Sequence, residues 1–303
     1  MRIVVTLVSM ALLIGSGAAL ADAPFDIPQQ LVQIESRPGV HMRMIVYRPS
    51  QPLATVILFP DGNGLLDITP IFNSPQIGRS ADVPWDLMGH LLERRMTVVL
   101  MDAPPDHHSI LGVNGWRGRH IFRLSREHAL DIRAAVDYLT QEDPLPIWLA
   151  GIRMGAFSAV NAAVDLQQKV AGLVIADGIT QCPAQKTLLK LCPQGLMGMP
   201  LQEITIPTLI LSDENAFPEP LLTAALSQSP YLRYQTYPEF ADFEGWKRST
   251  HDGMTLAGLS DAHLSCQMVD FIAWNERINP YLICNRRPVE KAPEEIYLAG
   301  ICF

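Results

Sequence analysis

The sequence predicts an α/β fold, with a mostly parallel central sheet and helices on both faces. Three observations predict it. Short, almost wholly apolar runs recur along the chain, as strands covered on both sides require. Stretches with helical periodicity alternate with them, the pattern of a sheet built from crossover units. The chain has 303 residues, 48% of them hydrophobic, which is ample for one sizeable core. Right-handed crossovers then place helices on both faces.

The expected strands are the apolar runs 42–47, 55–59, 97–101, 147–150, 171–176, 208–211 and 233–237. Residues 84–95 put Trp85, Met88, Leu91 and Leu92 on one helical face. Ser125 can cap a helix whose stripe is Ala129, Ile132, Ala135, Val136 and Leu139. Residues 156–168 and 217–228 give two more helices. The last, 265–278, carries Met268, Phe271, Ile272 and Ile278 on its apolar face. Residues 103–120 and 181–205 are long irregular stretches, expected as insertions above the C-terminal edge of the sheet, where sites in such folds lie. The tail after Asn279, rich in charge and proline, is expected to wrap the surface of a single domain spanning 22–303.

Residues 1–21 resemble a signal peptide: Arg2, an apolar run over 3–14, then the small-x-small triplet Ala19-Leu20-Ala21. The expectation is export to a periplasm or the medium after cleavage near Ala21. The apolar run is too short for a good membrane span, and no later stretch is long enough. The formal net charge is −8. Basic residues gather only at Arg117, Arg119, Arg123 and Arg126, so neither nucleic acid nor an anionic membrane is an expected partner. Export permits disulfides. Cys182 with Cys192 and Cys284 with Cys302 are the expected pairs, leaving Cys266 over. No Cys-x-x-Cys spacing points to zinc or a redox dithiol, and no cofactor is expected.

The functional question sits in "PIWLAGIRMGAFSAV", residues 146–160. It has a buried strand, a Gly-bounded corner Gly151-Ile152-Arg153-Met154-Gly155, and a small-residue helix. Upstream, "VILFPDGNGLL" (56–66) runs a strand into a Gly-rich turn holding Asp61, Gly62 and Asn63. "VVLMDAPPDHH" (98–108) ends a strand in Asp102. Downstream come "PTLILSDEN" (207–215) and "SDAHLSCQMVDFIAWN" (260–275). In their order and spacing these four places resemble the α/β-hydrolase family and cover most of the chain.

The resemblance implies a serine at the corner, held up as a nucleophile on a strained turn, with a histidine to take its proton and an acid to orient that histidine. It also implies two backbone N–H donors for the oxyanion, one from the Gly-rich turn and one at the corner. Here Arg153 occupies the nucleophile position. A guanidinium stays protonated and is no nucleophile. Ser158 falls about a turn into the helix, where packing is its expected role. His263 matches the family histidine and His251 competes with it. Asp213 matches the acid, with Glu214 and Asn215 as neighbours.

Asp61 departs from the uncharged residue common in the oxyanion turn. Its carboxylate repels an oxyanion unless it turns away or pairs, and Arg153 offers a pairing with Asp61, Asp102 or Asp213. The same corner has free N–H groups at a helix start, which favour an anion beside the arginine. Asp61, Gly62, Asn63, Arg153 and Met154 are therefore the expected ligand-binding set. Two functions follow. The first is a degenerate hydrolase that binds a small, anionic molecule or a protein. The second is a working hydrolase of small esters that uses His263 and Asp213 with another nucleophile or activated water. Asp106, His107 and His108 are expected as polar surface, not as metal ligands. Trp85, Trp116 and Trp246 are expected to line the site or to pack.

Overall fold

The computed structural model describes residues 27–71, 74–78, 81, 83–108, 118, 121–179, 195–213, 219–237 and 258–277. The expected leader, the C-terminal tail, His251, Trp116, Trp246 and Cys182, Cys192, Cys284 and Cys302 lie outside them. Ten strands are described: β1 (Gln29–Arg37), β2 (Val40–Tyr47), β3 (Ala54–Phe59), β4 (Thr69–Ile71), β5 (Ser74–Gln76), β6 (Met96–Met101), β7 (Ile147–Ile152), β8 (Gly172–Ala176), β9 (Thr208–Asp213) and β10 (Leu232–Tyr237). The helices are α1 (Trp85–Glu93), α2 (Arg126–Glu142), α3 (Gly155–Leu166), α4 (Glu219–Ala225) and α5 (Gly258–Asn275).

Eight strands form one sheet in the order β1-β2-β6-β3-β7-β8-β9-β10. β2 runs antiparallel to β1 and to β6, and every pairing from β6 to β10 is parallel. β4 and β5 make a small separate hairpin. The seven expected strands are all present. β1 is an addition, because its alternation of exposed and half-buried residues is that of an edge strand and lacks an apolar run.

Side-chain alternation along β3 divides the core. Ile57 and Phe59 face one layer, where α2, α3 and α4 pack through Ile132, Val136, Phe157, Val160 and Leu222. Val56 and Leu58 face the other, filled by Leu87 and Leu91 of α1 and Met268 and Phe271 of α5. Ser125 caps α2 as expected, its side chain accepting from the backbone N of His128 at 3.1 Å. Trp85 packs half-buried against the second layer. Cys266 is a free, buried thiol within α5. Among the described residues no helix is long and apolar enough to cross a membrane. α5 begins at Gly258, earlier than its apolar stripe indicates, so His263 lies in its second turn. Two short 3-10 turns, Gly195–Gly198 and Leu201–Glu203, order the end of the second irregular stretch.

Candidate functional site

The parallel strands all end on one side of the sheet, and the corner after β7 is built there by close backbone contact. A Cβ on Gly155 would lie 1.8 Å from the carbonyl oxygen of Phe59. One on Gly151 would lie 2.5 Å from the Gly155 carbonyl. Both positions therefore admit only glycine. Between them Arg153 adopts φ +49°, the left-handed region. That conformation costs a non-glycine residue about 1–2 kcal/mol. The backbone holds it there: Arg153 N donates to Ala176 O at 2.8 Å, and Ala156 N donates to Arg153 O at 3.2 Å. Met154 and Ser158 are buried beneath the corner.

Opposite the corner lies the turn after β3. The Asp61 carboxylate bridges both features of the corner. Its Oδ1 accepts from the backbone N of Met154 at 3.1 Å, and its Oδ2 stands 3.5 Å from Arg153 Nε. Asp61, one of the three acids expected to pair with the arginine, stands beside it. The pair is open to solvent, with side-chain exposures of 40% for Arg153 and 32% for Asp61. A ligand can therefore reach it. Gly62 takes φ +76° and Gly64 φ +82°, and Asn63 Oδ1 accepts from Leu65 N at 2.9 Å. These local constraints fold the turn tightly.

A buried arginine organises this turn from behind. Arg123 is 1% exposed. Its Nη1 donates to Ser158 Oγ at 2.6 Å and its Nη2 to Pro60 O at 2.8 Å, with a longer contact to Asp61 O at 3.3 Å. Carbonyls of the turn thus point inward at the guanidinium, while the Asp61 side chain points across to the corner. Arg123 was legible only as one of four scattered basic residues. The signal that marks it is a charge flanked by Ile121, Phe122 and Leu124. Ser158 has a hydrogen-bonding role under the corner.

Asp102, the acid directly after β6, is used structurally. Its carboxylate accepts from the backbone N of Leu66 at 2.7 Å, Asp67 at 3.1 Å and Ile68 at 2.8 Å. Burial pushes the carboxyl above the ordinary carboxylate range, against the pull of those N–H groups and of His108. His108 Nε2 bonds to the Ala103 carbonyl at 2.7 Å, and His107 stacks on Phe122. Among the described residues no group of acids, histidines and cysteines could hold a metal.

The acid and histidine positions are placed by their backbones. Asp213 ends β9, on the side of the sheet that carries Arg153. The end of α5 is fixed at the opposite side. Trp148, near the start of β7, donates to Glu276 at 3.1 Å, and Trp274 packs on Tyr231 just before β10. His263 lies in the second turn of α5, thirteen residues before Glu276. Sequence reasoning missed a further residue at the Arg153 end of the sheet: Asp177, which directly follows β8 with φ +48° and donates its N–H to Leu211 O at 2.9 Å. Its signal is an acid directly after an apolar run and before a glycine.

No protein-family model matches the sequence, and no curated protein matches it. Solved structures do. A dienelactone hydrolase from Anabaena variabilis aligns with a TM-score of 0.55 at 16% identity, over 82% of this chain and 99% of that one. The Pyrococcus furiosus esterase Pf2001 aligns with a TM-score of 0.52 at 12% identity, over 82% and 93%. A thermostable carboxyl esterase from Bacillus coagulans gives 0.52 at 11% identity, over 82% and 99%. At such identities the likeness is one of architecture: this chain has the α/β-hydrolase fold.

Proposed function

We propose that this chain is an exported protein that binds a small carboxylate-bearing ligand at the Arg153 corner and does not hydrolyse esters by a serine mechanism. One observation carries the reading. The Met154 N–H, the donor that a hydrolase would aim at its oxyanion, is held by the carboxylate of Asp61. A negative side chain there repels an oxyanion where catalysis needs donors. Beside it, Arg153 stands where the nucleophile is expected and supplies a cation instead. A corner N–H and a guanidinium converging on one carboxylate are the parts of a carboxylate-recognition site. Strain retained at Arg153 supports a presented, functional side chain.

The test is a short-acyl chromogenic ester panel with the purified protein, run beside calorimetric titration with small mono- and dicarboxylates. The expected result is no turnover and saturable carboxylate binding that Arg153→Gln abolishes. The competing reading is hydrolysis of small esters by Asp213 and His263 with another nucleophile. It rests on Asp213 at the end of β9 and His263 in the second turn of α5. Turnover by the wild type that His263→Ala removes would establish it in place of the first. Export is tested by fractionation and by sequencing the N-terminus of the recovered protein.

A further inference from the structure

Resting on that binding reading, we infer that Asp61 is an internal competitor for the site: a tethered carboxylate that occupies the corner and must leave before an external carboxylate enters. The geometry is that of a ligand already seated. One oxygen takes the Met154 N–H at 3.1 Å and the other faces Arg153 Nε at 3.5 Å. The two oxygens take the Met154 N–H and face the Arg153 Nε–H, so an incoming carboxylate that uses this pair of donors must displace Asp61. The contact is also built to open. Neither partner is buried, and the ion-pair distance of 3.5 Å is looser than a charge-assisted hydrogen bond.

The backbone of the turn, in contrast, is fixed. Arg123 anchors Pro60 O and Asp61 O from beneath, and Asp102 clasps the N–H groups of Leu66, Asp67 and Ile68. The latch therefore opens by rotation of the Asp61 side chain and needs no movement of the loop. Its effect on affinity follows from occupancy. If the tethered carboxylate fills the corner nine-tenths of the time, an external one binds about tenfold more weakly than to the open corner.

The experiment is titration of the purified protein with sodium acetate and sodium propionate, with sodium chloride at matched ionic strength as the blank. It compares wild type, Asp61→Ala, Asp61→Asn and Asp61→Ala/Arg153→Gln, with Asp165→Ala, exposed on α3, as a surface control. Asp61→Ala is expected to bind acetate at least about tenfold more tightly than wild type. Asp61→Asn, which keeps an acceptor for Met154 but loses the charge, is expected to fall between them. The double variant is expected to lose the gain. Thermal midpoints should move in parallel, acetate raising that of Asp61→Ala more than that of wild type. Folded Asp61→Ala and Asp61→Asn proteins that bind acetate no better than wild type would overturn the latch, even if wild type binds carboxylates well. A gain in Asp61→Ala over a wild type that binds no carboxylate at any concentration would uphold the latch and overturn the functional reading.

Discussion

Arg123 donates to the hydroxyl of Ser158 across 2.6 Å, and both side chains are buried. One cation under the corner thereby ties α3 to the turn after β3. Replacing Arg123 with Met leaves the Ser158 hydroxyl and the Pro60 carbonyl without this donor. The expected loss is about 2–4 kcal/mol in urea unfolding. Ser158→Ala should cost only about 1 kcal/mol. A stability loss for Arg123→Met below that of Ser158→Ala would show that the guanidinium does not hold the turn.

The corner inverts the usual ranking of small residues. Alanine normally exceeds glycine in stability, because glycine loses more chain entropy on folding. At φ +49° the penalty on an L-residue is larger than that entropy difference. Arg153→Gly should therefore be more stable than Arg153→Ala by about 0.5–1 kcal/mol. The reverse order in thermal melts would mean that residue 153 is not strained in solution.

Gly155 gives a sharper steric test. Its Cβ would overlap a backbone carbonyl, that of Phe59 at 1.8 Å, which no side-chain rotation relieves. Gly155→Ala should lose about 3 kcal/mol or fail to fold. A variant of wild-type stability would refute the close approach of α3 to β3.

His128 makes stability depend on pH. Its ring lies fully buried between Phe59 and Phe122, with no hydrogen-bond partner on either nitrogen among the described residues. Burial, and then the charges of Arg123, His107 and Arg37, hold its pKa well below the ordinary value. The unfolded state thus takes up this proton first. Its share of stability is intact above about pH 6.5 and is lost as the pH falls below that value. His128→Phe should flatten the fall in stability that sets in below about pH 6.5. The buried acids Asp102 and Asp131, whose pKa values are raised, contribute equally to both proteins and cancel in the comparison.

On the proposed reading, Arg153 and Asp61 are the two side chains that keep this corner from ester chemistry. Arg153→Ser alone should stay inert on the ester panel, because Asp61 still holds the Met154 N–H. Arg153→Ser with Asp61→Gly should gain turnover that His251→Ala or His263→Ala removes, naming the histidine. Equal activity of the single and double variants would show that Asp61 does not obstruct the corner.

The strands were legible because burial on both faces leaves a run of apolar residues with no alternation to interpret, as at Val98, Val99 and Leu100. β1 was not, since an edge strand with one wet face resembles a polar loop. The start of α5 was hidden for a related reason. Gly258, Ser260 and Asp261 precede the apolar stripe, and backbone hydrogen bonding continues the helix through them. At the site, the Asp61–Arg153 pairing was legible as one of three choices, because opposite charges follow neighbouring strands. That Asp102 is engaged by three N–H groups instead is something no residue spacing encodes. Arg123 escaped notice because its partners are backbone carbonyls, which every sequence contains.

The conformation of residue 153 is imposed by its surroundings: two glycines without room for a Cβ and a pair of backbone hydrogen bonds. None of these involves its side chain. The corner is therefore a socket, and what it presents can be exchanged without rebuilding what holds it. Some serine codons differ from arginine codons by a single base. On the proposed reading, a lineage carrying this scaffold can exchange a displayed cation for a displayed hydroxyl in one mutational step.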